Sequence, residues 1–421
     1  MASSTTSRPL TVLVWGATGF TGRLVAEYLL RTYGTDTFAW GLGGRSEPKL
    51  REVRAALTRI DARAASLPLV VGDAMDPAAM ERVAGEARVV ATTAGPFGQH
   101  GRELIGACAR AGTHYCDITG EIPFVRDAID RHQDAAVASG ARLVPCAGFD
   151  SIPSDLGVLL LHDALAKKGS ALARAHLYVM SMGGGLGGGT AASALSLMEE
   201  ASRNPKLRDL LANPYSLDPK DGAGGPEGPD GTKAHYDPDL GAWTAPFIMG
   251  PVNTRVVRRT NALLGYPYGK DFRYEEAIRV GKGLKGRVRA IALAGGAALA
   301  QAALKSGTLR RLAGAALPRP GEGPTDEVRK KGAFSLRLLG EGRHGERVWA
   351  AVGAKGDPGH TETAKMLAET ALCLTEDEDR LPKRAGVLTP ASACGMILVE
   401  RLRKAGMTFA VEPFSSPAPS P

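Results

Sequence analysis

The sequence predicts an α/β protein: a doubly wound parallel sheet followed by a second domain of α/β (α+β) character. Three observations predict it. Short apolar runs alternate with amphipathic stretches of helical length through the first 150 residues, the pattern of βαβ units with helices on both faces of a sheet. The first apolar run ends in a glycine-rich loop. The alternation then stops near Phe149 and gives way to glycine clusters, a Pro/Gly/Asp-rich stretch and alternating strands.

Residues 11–15, TVLVW, are continuously apolar and read as a buried parallel strand. Leu24, Val25, Tyr28 and Leu29 then share one helix face. A second strand is expected over 38–44, with Ser46 at the N-cap of the next helix. Further strands are expected over 67–71, from 87 to Gly95, at 114–116 and over 141–145. Helices are expected after Pro77, over 101–111 and over 123–139. Beyond this domain (11–150), residues 151–385 read as a substrate domain. It comprises a helix at 154–167, a strand from 174 into the glycine cluster 183–189, a helix at 191–202 and a long exposed loop at 213–250. A helical region around 271–314, a linker at 318–324 and an antiparallel hairpin at 333–340 and 347–353 follow. Helices at 360–374 and 391–405 and a strand at 407–411 end the chain, with 386–412 a candidate to return to the first domain. Residues 1–10 and 413–421 read as disordered ends.

The 421 residues carry a net charge of +8, with 44% hydrophobic and 23% charged residues, an ordinary composition for a globular enzyme. The basic residues are scattered, which speaks against a nucleic-acid-binding arm. They fit either a solvated surface or attraction of a phosphorylated cofactor and an anionic acyl carrier. Cys108, Cys116, Cys146, Cys373 and Cys394 form no CxxC pair, so neither a metal site nor a disulfide framework is expected. No secretory leader is legible, and a cytoplasmic location is expected. The apolar segment 290–304, flanked by Arg287, Arg289 and Lys305, is too short to span a bilayer. It reads either as a buried helix or as an interfacial one making peripheral membrane contact.

The loop after the first strand is Gly16-Ala17-Thr18-Gly19-Phe20-Thr21-Gly22. Gly16 permits the turn, Gly19 clears a diphosphate's approach and Gly22 lets the helix pack on the sheet, a Rossmann-type dinucleotide loop. The second strand ends in Gly43-Gly44-Arg45-Ser46, without the carboxylate that binds a ribose 2′-OH. Arg45 and Ser46 suit a 2′-phosphate instead, so NADP(H) is expected over NAD. Asp73 stands where adenine contacts are common, and Thr93, Ala94 and Gly95 where a loop runs under the nicotinamide ribose.

Two polar clusters fall at the carboxyl edge of the sheet, 114–121 (HYCDITGE) and 148–155 (GFDSIPSD). Tyr115 and Asp150 are the catalytic candidates, Tyr115 with a half-buried strand tyrosine as the alternative reading. Asp117 and Glu121 read as loop-orienting or capping groups, and Asp150, Ser151 and Ser154 also as helix caps. A Tyr-xxx-Lys dyad is absent, since Thr119 follows Tyr115 at that spacing.

GATGFTGRLVAEYL, TTAGPFGQHG, HYCDITGE and GFDSIPSDLG together resemble the saccharopine dehydrogenase-like oxidoreductases. GDPGHTETAKMLAETALCL and GVLTPASACGMILVERL resemble its trans-acting enoyl reductase branch. The resemblance spans about residues 10–412. It implies reduction of an enoyl thioester on a polyketide-synthase-bound acyl chain, leading to lipids of the phthiocerol type, with an acyl carrier as partner. Only Gly16, Gly19 and Gly22 carry over residue by residue. An imine- or carbonyl-reducing enzyme of the saccharopine type, and a non-catalytic NADP-binding protein attached to lipid, are the alternatives.

Overall fold

The computed structural model describes residues 8–184, 188–226, 228, 230, 231, 233–303 and 323–415. In chain order its strands are β1 (Leu10–Trp15), β2 (Trp40–Gly44), β3 (Leu69–Val71), β4 (Ala87–Thr92), β5 (His114–Asp117), β6 (Arg142–Val144), β7 (Leu172–Gly183), β8 (His235–Asp237), β9 (Ala242–Pro246), β10 (Arg273–Gly281), β11 (Ala333–Gly342), β12 (Arg347–Lys355), β13 (Gly386–Val387) and β14 (Thr408–Pro413). Two compact units form. One is built on the chain up to Phe149 plus His360–Arg401, the other on Asp150–Gly359 plus the chain from Leu402.

The first unit holds a seven-stranded sheet of order β13-β6-β5-β4-β1-β2-β3, with every pairing parallel. Val12, Leu13 and Val14 of β1, and Val89, Val90 and Ala91 of β4, are fully buried. That is why these strands read as unbroken apolar runs: both faces are covered. The winding reverses between β1 and β4, so the loops leaving their carboxyl ends diverge and open a crevice. Helix α1 (Phe20–Tyr33) follows β1, and helix α2 (Glu47–Thr58) follows β2.

The seventh strand was not foreseen. β13 is two residues long and pairs Gly386 with Arg142 and Val387 with Leu143, too short for any periodicity. The helix Thr363–Glu376, assigned from sequence to the second domain, lies in the first unit and packs on α1, β4 and β5. Ala364, Met366, Leu367, Ala368, Ala371, Leu372 and Cys373 are all buried. A helix apolar nearly all round needs a large surface to enclose it, and the parallel sheet supplies one.

The second unit holds a mixed sheet of order β14-β12-β11-β7-β10-β9-β8. β7 and β10 pair in parallel, and the expected β11–β12 hairpin is antiparallel. Two expectations are corrected. Residues 273–281, read as part of a helical region, form β10; pairing with β7 and β9 on its two sides overrides the helix propensity of its paired glutamates. The 213–250 stretch is no plain exposed loop, since it contains β8 and β9. Its beginning is also tied down. In the helix Gly250–Leu263, buried Arg255 donates to the Leu211 carbonyl (2.7 Å) and Arg258 to the Pro214 carbonyl (3.1 Å), while Arg259 donates to the Leu217 carbonyl. All five cysteines are buried and free. Residues 1–7 of the expected disordered N-terminus, the tail from 416, most of the 318–324 linker and positions 185–187 of the glycine cluster lie outside the described residues.

Candidate dinucleotide site and its polar edge

The glycine loop and the loop after β4 meet at the crevice. Thr93 N–H donates to the Trp15 carbonyl (3.0 Å), and Thr93 Oγ1 donates to the Gly16 carbonyl (3.2 Å). Gly16 has φ +80°, and a Cβ there would lie 2.9 Å from the Ala94 nitrogen. A Cβ on Gly22 would lie 2.2 Å from the Gly16 carbonyl oxygen, so only glycine lets α1 begin this close to the strand. At Gly19 a Cβ would meet nothing but that same oxygen, at 3.2 Å, which leaves the outer side of the turn open. Ala17 is fully buried beneath it, and Thr18 approaches Gly44 at the end of β2. The N–H groups of Phe20, Thr21 and Gly22 fall in the first turn of α1, where an α-helix offers donors without intrahelical acceptors.

Arg45 directly follows β2 and is exposed, with no ion pair or hydrogen bond among the described residues. The nearby Glu47 is engaged by Arg51 at 2.6 Å. Ser46 occupies the N-cap position of α2 without a side-chain cap bond, so its hydroxyl is not spent on the helix. Asp73 is exposed past β3 and accepts from Met75 N–H (3.0 Å). A diphosphate cradle with a cation at the second strand end fits a 2′-phosphorylated dinucleotide.

The polar cluster 114–121 at the same edge acts largely on backbone. Asp117 ends β5 and is fully buried. Its Oδ1 accepts from the N–H groups of Thr119 (2.9 Å) and Cys146 (3.1 Å), and its Oδ2 from the Tyr115 hydroxyl (2.7 Å). The Asp117 carbonyl also accepts from Ala147 N–H (2.6 Å). Asp117 thus fastens the loop after β5 to the loop after β6. Glu121 does the same toward β4: its two oxygens accept from Phe97 and Gly98 N–H, each at 2.9 Å. The loop-orienting reading of these two carboxylates is the one the geometry supports. Tyr115 has no solvent exposure, and its hydroxyl is committed to Asp117. Asp150 lies half-buried in the turn before the helix Ile152–Ala166.

Burial pushes the Asp117 carboxyl up to about 7, against the three hydrogen bonds that favour its charge. The sign follows from proton binding. Between the ordinary aspartate value of about 3.9 and 7, the unfolded chain has released this proton and the folded chain keeps it, so stability falls as pH rises, by at most about 1.4 kcal/mol per pH unit. Asp117→Asn keeps an oxygen for Thr119 and Cys146 and cannot ionise. Its stability relative to the parent therefore grows from pH 4 to 7 in urea titrations. Parallel pH profiles for the two proteins would refute this.

Sequence reasoning missed two features. Within the first unit, the His360 ring sits edge-on to Phe20 of the glycine loop, 5.0 Å between centroids. Thr363 Oγ1 accepts from Phe149 N–H (3.1 Å). The GHTE run carries these residues, but nothing in it announces a neighbour 340 residues away. Within the second unit, Glu276 Oε1 accepts from the hydroxyls of Ser154 and Tyr274, both at 2.7 Å, and Oε2 from Asn253 Nδ2 (3.0 Å). Ser151 donates to Asn253 Oδ1 (3.1 Å). Burial raises the Glu276 carboxyl to about 7.

Comparison with known proteins gives a consistent assignment. The family described as the saccharopine dehydrogenase NADP-binding domain matches residues 12–144. A Mycobacterium tuberculosis relative that bears the trans-acting enoyl reductase name only provisionally is 40% identical over 96% of this chain and 98% of its own length. The trans-acting enoyl reductases of Mycobacterium tuberculosis and Mycobacterium ulcerans are 37% and 38% identical over the same shares. Among solved structures, saccharopine dehydrogenase (L-Glu forming) from Saccharomyces cerevisiae has the same fold, with TM-score 0.52 and 14% identity over 96% of this chain and 99% of that one. This chain is an NADP(H)-dependent oxidoreductase that belongs to the trans-acting enoyl reductase family.

Proposed function

We propose that this chain reduces the α,β double bond of an enoyl thioester presented on the acyl carrier of a polyketide or lipid synthase. The near full-length identity to trans-acting enoyl reductases, 37–40% over 96% of the chain, carries this reading. When bound, NADPH supplies a hydride to the β-carbon. The β-carbon gains a C–H bond, the double-bond electrons move onto the thioester oxygen as an enolate, and the α-carbon then takes a proton. The first-turn N–H groups of α1 hold the diphosphate, and Arg45 with Ser46 holds the 2′-phosphate. Asp73 lies on the adenine side, and Thr93, Ala94 and Gly95 form the floor of the crevice. Asp150 is the proton donor to the α-carbon. Tyr115 is a positioning residue: it orients Asp117, which in turn fixes both loops of the edge.

The experiment is NADPH oxidation against a panel of enoyl thioesters, as pantetheine esters and on a carrier domain, with the saturated product identified by mass. Turnover is expected, and Asp150→Asn is expected to lower kcat about 100-fold or more while leaving NADPH affinity intact. No turnover on any member overturns the reading. Turnover confined to an amino acid with a keto acid would favour saccharopine-type chemistry instead. Buried Arg255, Arg258 and Arg259 are engaged with backbone carbonyls of their own unit, and Arg255 also with Asp230 at 2.8 Å, which does not favour carboxylate recognition by them.

A further inference from the structure

We propose that the helix Gly283–Ala303 is a docking face for an anionic lipid surface, on which the protein rests without spanning it. The proposal stands apart from the choice of substrate. This helix packs on β9 and β10 of its own unit, and it does so through small residues, Gly286 and Ala290, which are buried. The sequence left two readings for the apolar segment 290–304, buried or interfacial; the described side chains at its start, Ile291 and Leu293, are exposed, and the exposed face continues back toward Leu284. Leu284 is 73% exposed, Val288 59% and Ile291 54%. At i, i+4 and i+7 these three side chains form one stripe, turned well away from the Gly286/Ala290 seam.

Charge decides what covers that stripe. Lys285 and Arg289 lie on one flank and Arg287 on the other, all exposed. Residues 279–303 contain no Asp or Glu. Among the described residues, Lys285 and Arg289 have no ion-pair partner, and the Arg287 guanidinium rests over the Trp243 ring at 5.6 Å. An aliphatic stripe with long cationic side chains on both flanks suits the boundary between acyl chains and anionic headgroups: the stripe enters the apolar layer and the cations reach back to phosphate. No helix among the described residues is long and apolar enough to cross a membrane, so the contact is peripheral.

Co-sedimentation of the full-length protein with phosphatidylcholine vesicles, with and without phosphatidylglycerol, tests this. Binding is expected only with phosphatidylglycerol and is expected to weaken as salt rises. Val288→Glu and Ile291→Glu are each expected to weaken it about tenfold or more, from the lost burial of one aliphatic side chain. Amide hydrogen-exchange protection in β9 and β10, on which the helix packs, reports that each variant is folded and should not change. Three results overturn the proposal: no binding to the anionic vesicles; binding that both variants leave intact; or binding of a purified acidic carrier domain, or self-association, abolished by the variants in a protein that ignores vesicles.

Discussion

Arg45→Ala is expected to weaken NADPH binding by about 10- to 100-fold and to leave NADH binding nearly unchanged. The guanidinium stands at the end of β2, exposed and without a protein partner among the described residues. A 2′-phosphate there gains a charge-assisted, bidentate contact, and hydrogen bonds to charged groups contribute about 1.5–3 kcal/mol each. Solvent exposure places the expected loss toward the lower part of that range, and raised salt should shrink the difference between parent and variant. Because Arg45 holds nothing else in place, the thermal unfolding of the free protein should not move, which separates lost recognition from lost folding. Fluorescence titrations with both cofactors check the result. A NADPH-to-NADH affinity ratio that stays the same in the variant would remove Arg45 from the site.

The dinucleotide half was legible because its signals are local. Strands buried on both faces are apolar without interruption, the glycine spacing is set by backbone contacts within seven residues, and a missing carboxylate at Gly44-Arg45 is read off two positions. The polar edge was legible only as a place. A carboxylate at the end of a parallel strand looks the same in sequence whether it meets substrate or, like Asp117 and Glu121, the N–H groups of neighbouring loops. Which it does depends on residues 23 to 29 positions away. The Glu276 network was invisible for the same reason: Ser154 is 122 residues distant, and β10 itself read as helix until its two neighbours supplied the pairing. The segment His360–Ala385 was displaced in the reading because its apolar helix says that it must be enclosed and does not say by which sheet.

Replacing Glu369 should strongly destabilise the first unit. The side chain is 2% exposed. Its Oε1 accepts from the hydroxyls of Tyr28 and Tyr33, both at 2.6 Å, and its Oε2 from Arg401 Nε at 2.9 Å. Arg401 in turn reaches Asp377 at 2.7 Å. Burial and the carboxylate push the Tyr33 phenol up to about 12 and the Tyr28 phenol higher still, so both remain donors at any physiological pH. One carboxylate therefore clamps the helix Thr363–Glu376 to α1, whose first turn is the proposed diphosphate cradle. Glu369→Ala leaves two half-buried hydroxyls without their acceptor and a mostly buried guanidinium with one carboxylate partner in place of two. Breaking a buried ionic network from one side costs about 3–5 kcal/mol; Tyr28→Phe or Tyr33→Phe, which each remove one donor and leave the ion pair, should cost about 1 kcal/mol. The three effects should not add, because the residues share one acceptor. Two units make a single melting temperature ambiguous, so amide hydrogen exchange is the better measure. In Glu369→Ala, protection should fall in α1 and in Thr363–Glu376 and persist in β7, β11 and β12 of the second unit. Since NADPH binds only the folded first unit, saturating cofactor should restore part of that protection. Unchanged exchange in α1 would show that apolar packing of the helix holds the cradle without the clamp.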